Sequence, residues 1–207
     1  MKRITILAFG VLCAHGANAQ IISVTGGQVL SPAPTDVTDG AVVGPEGFVF
    51  LEREEVAVAD LDVDHDGTSG TYGSNSDLIA TSLNGTYSSY LLHFDSENSV
   101  ATDYDMTVTF GQTIVGVIPR GTSLRDTDDI LGNPDTDYPG GTQRGWEPGA
   151  NDDQFVISAD QKSIQYTGRV SSPLDSVRVL TEPVPEPTTV AAMGIGALAL
   201  LRRKRRK

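Results

Sequence analysis

Three aspartates at alternate positions, Asp62, Asp64 and Asp66, run into Gly67 and read D-x-D-x-D-G. Carboxylates at this spacing can converge on one hard cation, which takes about six to eight oxygen ligands, and the glycine permits the sharp turn that wraps them around it. A helix-loop-helix calcium loop also needs a glutamate at its twelfth position. This chain has Gly73 there, and no helical pattern flanks the segment, so an EF-hand is excluded. Two readings stay open: a looser calcium loop completed by Asp77 or backbone oxygens, and a solvated acidic turn closing the strand that begins at Glu54. A second acidic stretch holds Asp126, Asp128, Asp129, Asp135 and Asp137. It reads as a loop with turns at Gly132-Asn133-Pro134 and Pro139-Gly140-Gly141, and its spacing fixes no ligand set.

Other reactive side chains are sparse. Beyond residue 19 the histidines are His65 and His93. His93 lies between Leu92 and Phe94, where a hydrogen-bonded structural role is expected. Zinc chemistry has neither an H-E-x-x-H pair nor a cysteine to rest on. Serine and aspartate are abundant, yet no nucleophile-elbow motif marks a Ser-His-Asp triad. Glu54 and Glu55 are a carboxylate pair of the type glycosidases use, but neighbours on a strand point to opposite faces and cannot share a substrate. A polysaccharide hydrolase is therefore the weakest of three readings, and the chain is expected not to be an enzyme. Trp146, the single tryptophan, stands in Arg144-Gly-Trp-Glu147 with Tyr138 nearby. The pair reads either as a sugar-contacting platform or as core packing. Asn84-Gly85-Thr86 matches a glycosylation sequon, and its Asn-Gly pair is read as a hairpin turn.

The elements that position these groups must come from a chain of 207 residues, 39% hydrophobic and 6% aromatic, with a net charge of −12. Such a chain buries one core of ordinary size. Charge is unevenly spread. Between Gln20 and Leu201 there are seven basic residues, Arg53, Arg120, Arg125, Arg144, Lys162, Arg169 and Arg178, against all 27 acids. A middle this acidic repels itself, stays soluble and attracts cations, and nucleic acid is excluded as a partner.

Both ends read as addresses. Lys2 and Arg3 precede an apolar run from Ile4 to Cys13, and Ala17-Asn18-Ala19 places small residues where signal peptidase reads them, with Gln20 following. Residues 1–19 are thus expected to be a signal peptide cut after Ala19. Cys13 follows Leu12, where a lipobox needs a small residue, so lipidation is rejected. It is also the only cysteine, which leaves the exported protein without disulfides. At the other end, Val184-Pro185-Glu186-Pro187 precedes an uncharged run from Thr188 to Leu201 and six cations, Arg202 to Lys207. The prolines stiffen the segment. The uncharged run makes a helix of about 21 Å, short for a membrane core of ~30 Å. The cations hold the tail in the cytoplasm and leave the body outside.

This three-part tail resembles the PEP-CTERM protein-sorting domain, the exosortase recognition signal of many Gram-negative surface proteins. The resemblance implies that Val184, Pro185, Glu186 and Pro187 are substrate for an exosortase that cuts at or near them. It further implies an inner-membrane intermediate, spanning at 188–201, whose body ends at the cell surface or outside the cell.

Between the addresses, residues 20–182 read as strands and turns. Short β-prone runs recur at Ile21–Thr25, Gly47–Leu51, Glu54–Leu61, Tyr87–Phe94, Asp105–Phe110, Thr113–Ile118, Gln154–Ser158, Ser163–Gly168 and Asp175–Thr181. Met106, Val108 and Phe110 alternate against Asp105, Thr107 and Thr109, and no helical period runs over three turns. An all-β, antiparallel sandwich of jelly-roll type is the expected fold. Segments 88–95, 116–120, 123–132 and 177–181, with Tyr138 and Arg144–Glu147, are also similar to uncharacterised ectodomains that often precede such tails. That similarity implies fold and location only. The leading expectation is a non-enzymatic surface or extracellular-matrix protein whose partners are signal peptidase, exosortase and the membrane. The alternative is a module that binds extracellular polysaccharide with calcium at Asp62, Asp64 and Asp66. No other cofactor is expected.

Overall fold

The computed structural model describes residues 21–97, 100–142, 144–149, 153–170 and 174–184. Among these residues, ten strands and one helix follow in order: β1 (Ile21–Thr25), β2 (Gly27–Val29), β3 (Gly47–Val63), β4 (Gly70–Tyr72), β5 (Thr81–Phe94), β6 (Thr102–Phe110), β7 (Ile114–Ile118), α1 (Gly121–Leu131), β8 (Gln154–Ile157), β9 (Ser163–Val170) and β10 (Asp175–Thr181). They form two five-stranded sheets, ordered β1-β6-β9-β8-β4 and β2-β3-β5-β10-β7. The pairs are antiparallel except β2 with β3, which run parallel, a departure from the antiparallel expectation.

Alternation explains the core between the sheets. Met106, Val108 and Phe110 from β6 and Phe155, Ile157, Ile164 and Tyr166 from β8 and β9 meet Val49, Tyr90, Leu92, Phe94, Val177 and Val179 from the second sheet. Each large apolar side chain buried here contributes about 1.5–3 kcal/mol. With no cysteine in the body, this burial is the main source of stability.

The second sheet is covered on its outer face as well. There Phe50, Leu91, Ile118 and Leu180 pack with Leu124 and Leu131 of α1. That is why every residue of β10 is buried. A strand buried on both faces has no polar side, so Ser176 and Arg178 point into protein rather than water.

The helix corrects the expectation that Asp126, Asp128 and Asp129 lie in an acidic loop. They sit on α1, whose buried residues are Gly121, Leu124, Thr127 and Leu131. So few apolar positions, interleaved with charge, give too weak a helical period to read. Tertiary contact supplies what local pattern lacks. Gly121 is essential to it, because a Cβ there would fall 1.8 Å from the carbonyl oxygen of Thr142. A side chain at Gly121, or at Gly145, where a Cβ would fall 2.2 Å from the Gly121 nitrogen, would push the helix start away from Thr142 and Gly145.

β3 and β5 form one long ribbon where two shorter β3 strands were expected. Their pairing shifts register between Arg53 and Val56 and between Val58 and Leu61. Glu55 (φ 51°) and Asp60 (φ 52°) adopt left-handed backbone at these bulges. Bulges bend a ribbon, which carries Val56, Val58, Leu61 and Val63 onto the outer cluster with Leu124. The Asn84-Gly85 pair is not a hairpin turn, as expected, but lies inside β5. The Asp60 N–H donates to Asn84 Oδ1 at 3.0 Å, and Asn84 Nδ2 donates back to Asp60 Oδ1 at 3.3 Å. A side chain that satisfies the bulged backbone across the ribbon is the reason an Asn-Gly pair persists in a strand.

Candidate functional site

The D-x-D-x-D-G segment is divided among three tasks. Asp62 remains on β3. Asp64, 5% exposed, accepts hydrogen bonds from the Arg120 N–H (3.1 Å), Ser123 Oγ (2.8 Å) and Arg120 Nη1 (3.5 Å). α1 has no acid in its first turn and no side-chain cap of its own. Asp64 therefore provides, from just past the end of β3, the negative charge that a helix N-terminus favours. Burial pushes its carboxyl upward, and the bonds from Ser123 and Arg120 oppose that shift. Asp66 caps its own turn by accepting from the Thr68 N–H at 2.9 Å. Gly67 has φ 77°, the left-handed turn its type predicted. Asp62, Asp64 and Asp66 are thus not brought together. Among the described residues, no group of three or more His, Cys, Asp or Glu side chains is placed to hold a metal ion.

His65 is fully buried between these acids. Its Nδ1 accepts from the Gly67 N–H at 3.1 Å, and its ring meets Tyr72 edge-on at 4.0 Å. Burial depresses its pKa despite Asp66. His93 is likewise buried, beside Ser176 Oγ at 3.3 Å, with its pKa pressed down to about 4, burial being the largest cause. Both are structural, neutral imidazoles. Trp146, 5% exposed, packs on Phe155 at 5.2 Å inside the core. Tyr138 donates to Glu52 Oε1 at 2.8 Å and accepts from the Asn133 N–H at 2.9 Å. Neither ring forms an exposed platform, so the sugar-contact reading of this pair loses its geometry.

A groove does open between the outer half of β3 and α1. Its volume is about 580 Å³, within the ~300–1,000 Å³ range of ligand pockets. Asp60 and Asp62 line one wall, and Ser123, Asp126, Thr127 and Ile130 line the other. The helix residues share one face because their spacing follows its turn. A second hollow adjoins it through Asp62 and Ser123 and reaches Asp64.

The densest polar chemistry lies beneath α1, where sequence reading named no ionic site. Arg178 on β10 is fully buried and forks onto Glu52 of β3, Nε to Oε2 at 2.7 Å and Nη2 to Oε1 at 2.8 Å. The same guanidinium donates to Asp128 Oδ1 (2.9 Å), Thr127 Oγ1 (2.7 Å) and the Leu124 carbonyl (3.1 Å). Arg144 Nη2 clamps both Asp128 oxygens at 2.7 Å. Both guanidinium groups also stand over the Tyr138 ring, at 5.6 and 5.8 Å. Burial opposes the charge on Arg178, but Glu52 and then Asp128 outweigh it and hold its pKa above the usual range. Two cations and two anions cancel inside the protein. The network ties α1 and the segment carrying Tyr138 and Arg144 to the outer face of the second sheet. Its members stand far apart in sequence, and the available signal was that three of the four ions, Asp128, Arg144 and Arg178, lie in the stretches resembling other ectodomains.

A second buried acid group joins Asp153, Asp175 and Tyr166. Tyr166 OH donates to Asp175 Oδ2 at 3.0 Å, and Asp153 Oδ2 accepts from the Glu147 N–H. Burial, reinforced by neighbouring Asp153, pushes Asp175 up to about 8, and burial also raises Asp153.

The body hands over to its C-terminal tail without a spacer domain. β10 ends at Thr181, and the Glu182 N–H donates to the Thr113 carbonyl at 2.9 Å. Pro183 and Val184 follow, both half-buried. From this point the chain carries the stiff, apolar and cationic pieces in order. Residues 183–206 match the PEP-CTERM protein-sorting motif. That motif implies exosortase as a processing partner and sorting outward to the surface of a Gram-negative cell. No curated protein matches the chain, and no solved structure does. Ala17, Ala19 and Gln20 of the expected signal cleavage, Pro185, Glu186 and Pro187, and the expected span at 188–201 lie outside the described residues. Among the described residues no helix is long and apolar enough to cross a membrane.

Proposed function

We propose that this chain is a non-enzymatic surface or extracellular-matrix protein. Its jelly-roll-like body is exported behind a cleaved signal at residues 1–19. It is held at the inner membrane by the C-terminal tail and is cut by an exosortase at or near Val184-Pro185-Glu186-Pro187. The junction carries this reading: the matched motif begins at Pro183, directly after Glu182 closes β10 onto Thr113. The non-enzymatic part draws support from the buried ions, which are spent on one another, Arg178 on Glu52 and Arg144 on Asp128. Deleting residues 183–207 is expected to divert the body from the cell surface, as read by fractionating cells and medium. An unchanged distribution overturns the proposal.

The groove between β3 and α1 favours a second reading, an oligosaccharide-binding module assisted by calcium at Asp62. Carboxylates and hydroxyls interleaved with Val58, Leu61 and Ile130 on its two walls are the mixture that sugar rings require. Titration calorimetry should then show saturable heat with calcium and with a matched oligosaccharide, both lost in Asp62→Asn. Flat titrations across calcium and a glycan array dispose of this reading.

A further inference from the structure

The two ends of the body emerge at the same pole. Ile21, the first residue of β1, pairs with Phe110 at the end of β6. Glu182, just past β10, is bonded to Thr113 three residues further along. The turn at 158–162 closes the same surface, because the Phe110 N–H donates to the Lys162 carbonyl (2.8 Å) and the Ile114 N–H to the Gln161 carbonyl (2.7 Å). The opposite pole is marked by the pairs Asp175 with Phe94 and Thr102 with Val170. β6, 9 residues long, separates the poles by about 25–30 Å.

Chain length then restricts where the pole can be. Six residues, Glu182 to Pro187, lie between β10 and the uncharged run. Fully extended they reach about 20 Å, less than the height of the body. Until the tail is cut, the pole bearing residues 110–113 and 158–162 is therefore the part of the body nearest the bilayer. Charge gives it no affinity for that surface. Asp160 and Glu182 stand there against Lys162, and anionic headgroups attract basic rather than acidic segments.

Resting on the export reading above, we propose that this pole is the face presented to the lipid surface during processing. It is held there by the C-terminal tail alone, so that one cut there frees the body without any unfolding.

The test uses the full chain with Cys13→Ser, carrying either Asp160→Cys at the near pole or Glu97→Cys at the far one. Both positions are exposed. A bulky, membrane-impermeant polyethylene-glycol maleimide is applied to the uncut form in a host lacking exosortase, and to the cut form from a host that has it. The Asp160→Cys variant is expected to react several-fold more slowly when uncut than when cut, while Glu97→Cys reacts equally in both. A flexible Gly/Ser insert of 30 residues between Glu182 and Pro183, with an r.m.s. span of about 30 Å, is expected to abolish the difference. Equal rates at both poles of an uncut, membrane-held chain overturn this proposal alone, as does protection that survives the insert. A chain that never associates with the membrane overturns the export reading and this proposal with it.

Discussion

Replacing Glu52 with alanine is expected to unfold, or nearly unfold, the exported body. The carboxylate is fully enclosed and takes two bonds from Arg178, one from Tyr138 and one from Ser89. Its removal leaves a buried guanidinium short of one counter-charge and two hydroxyls without an acceptor. Breaking one side of a buried pair costs about 3–5 kcal/mol, and a domain has roughly 5–15 kcal/mol in total. Urea unfolding of the exported protein should show the midpoint collapse. Pairing the change with an apolar partner, Glu52→Leu with Arg178→Met, should recover much of the loss, since no charge is then stranded. If Glu52→Ala unfolds at the parent midpoint, the network is ornamental and α1 is held by its apolar contacts alone.

Alkaline destabilisation is the second large effect expected. Asp175 moves from an ordinary value of 3.8 to about 8 in the fold, driven by burial and then by Asp153. The folded protein thus keeps a proton that the unfolded chain has already released. Stability from this group is complete below pH ~4, declines as pH rises, and is gone above pH ~8. Asp153, Glu147 and Tyr166 are the titratable groups around it, and none supplies a cation. Asp175→Asn keeps an acceptor for Tyr166 and has no proton to lose. Its melting temperature should exceed the parent's at pH 9 and converge on it toward pH 4. A shallower slope remains below pH 6, where Asp95, raised to about 6 by burial, still titrates. Parallel melting curves for parent and variant across this range refute the assignment.

Local chemistry made much of the architecture legible. β1 and β10 were delimited residue for residue, because period-two alternation and flanking turn residues are properties of short stretches. The same holds for the inward set Met106, Val108 and Phe110. α1 was not legible, since its apolar residues are too few to show a period and its N-terminal charge comes from Asp64, far away in sequence just past β3. β2 and β4, three residues each, exist only by pairing with partners.

The candidate sites divide along the same line. The aspartate triplet was visible as a pattern, but a pattern cannot say that Asp64 turns toward α1 while Asp66 caps Thr68. Trp146 and Tyr138 were visible as aromatic types, and their burial was not, because it depends on what Phe155 and Glu52 bring to them.

By itself the sequence determined the destination of this protein. A sorting tail is read as a linear string of prolines, apolar residues and cations, so its information is local. Tertiary structure alone decided that Glu52, Asp128, Arg144 and Arg178 neutralise one another, and that Ile21 and Glu182 leave by one pole. Ion pairing and strand registry join residues dozens of positions apart, up to 126 between Glu52 and Arg178, and no local pattern encodes which of them will meet.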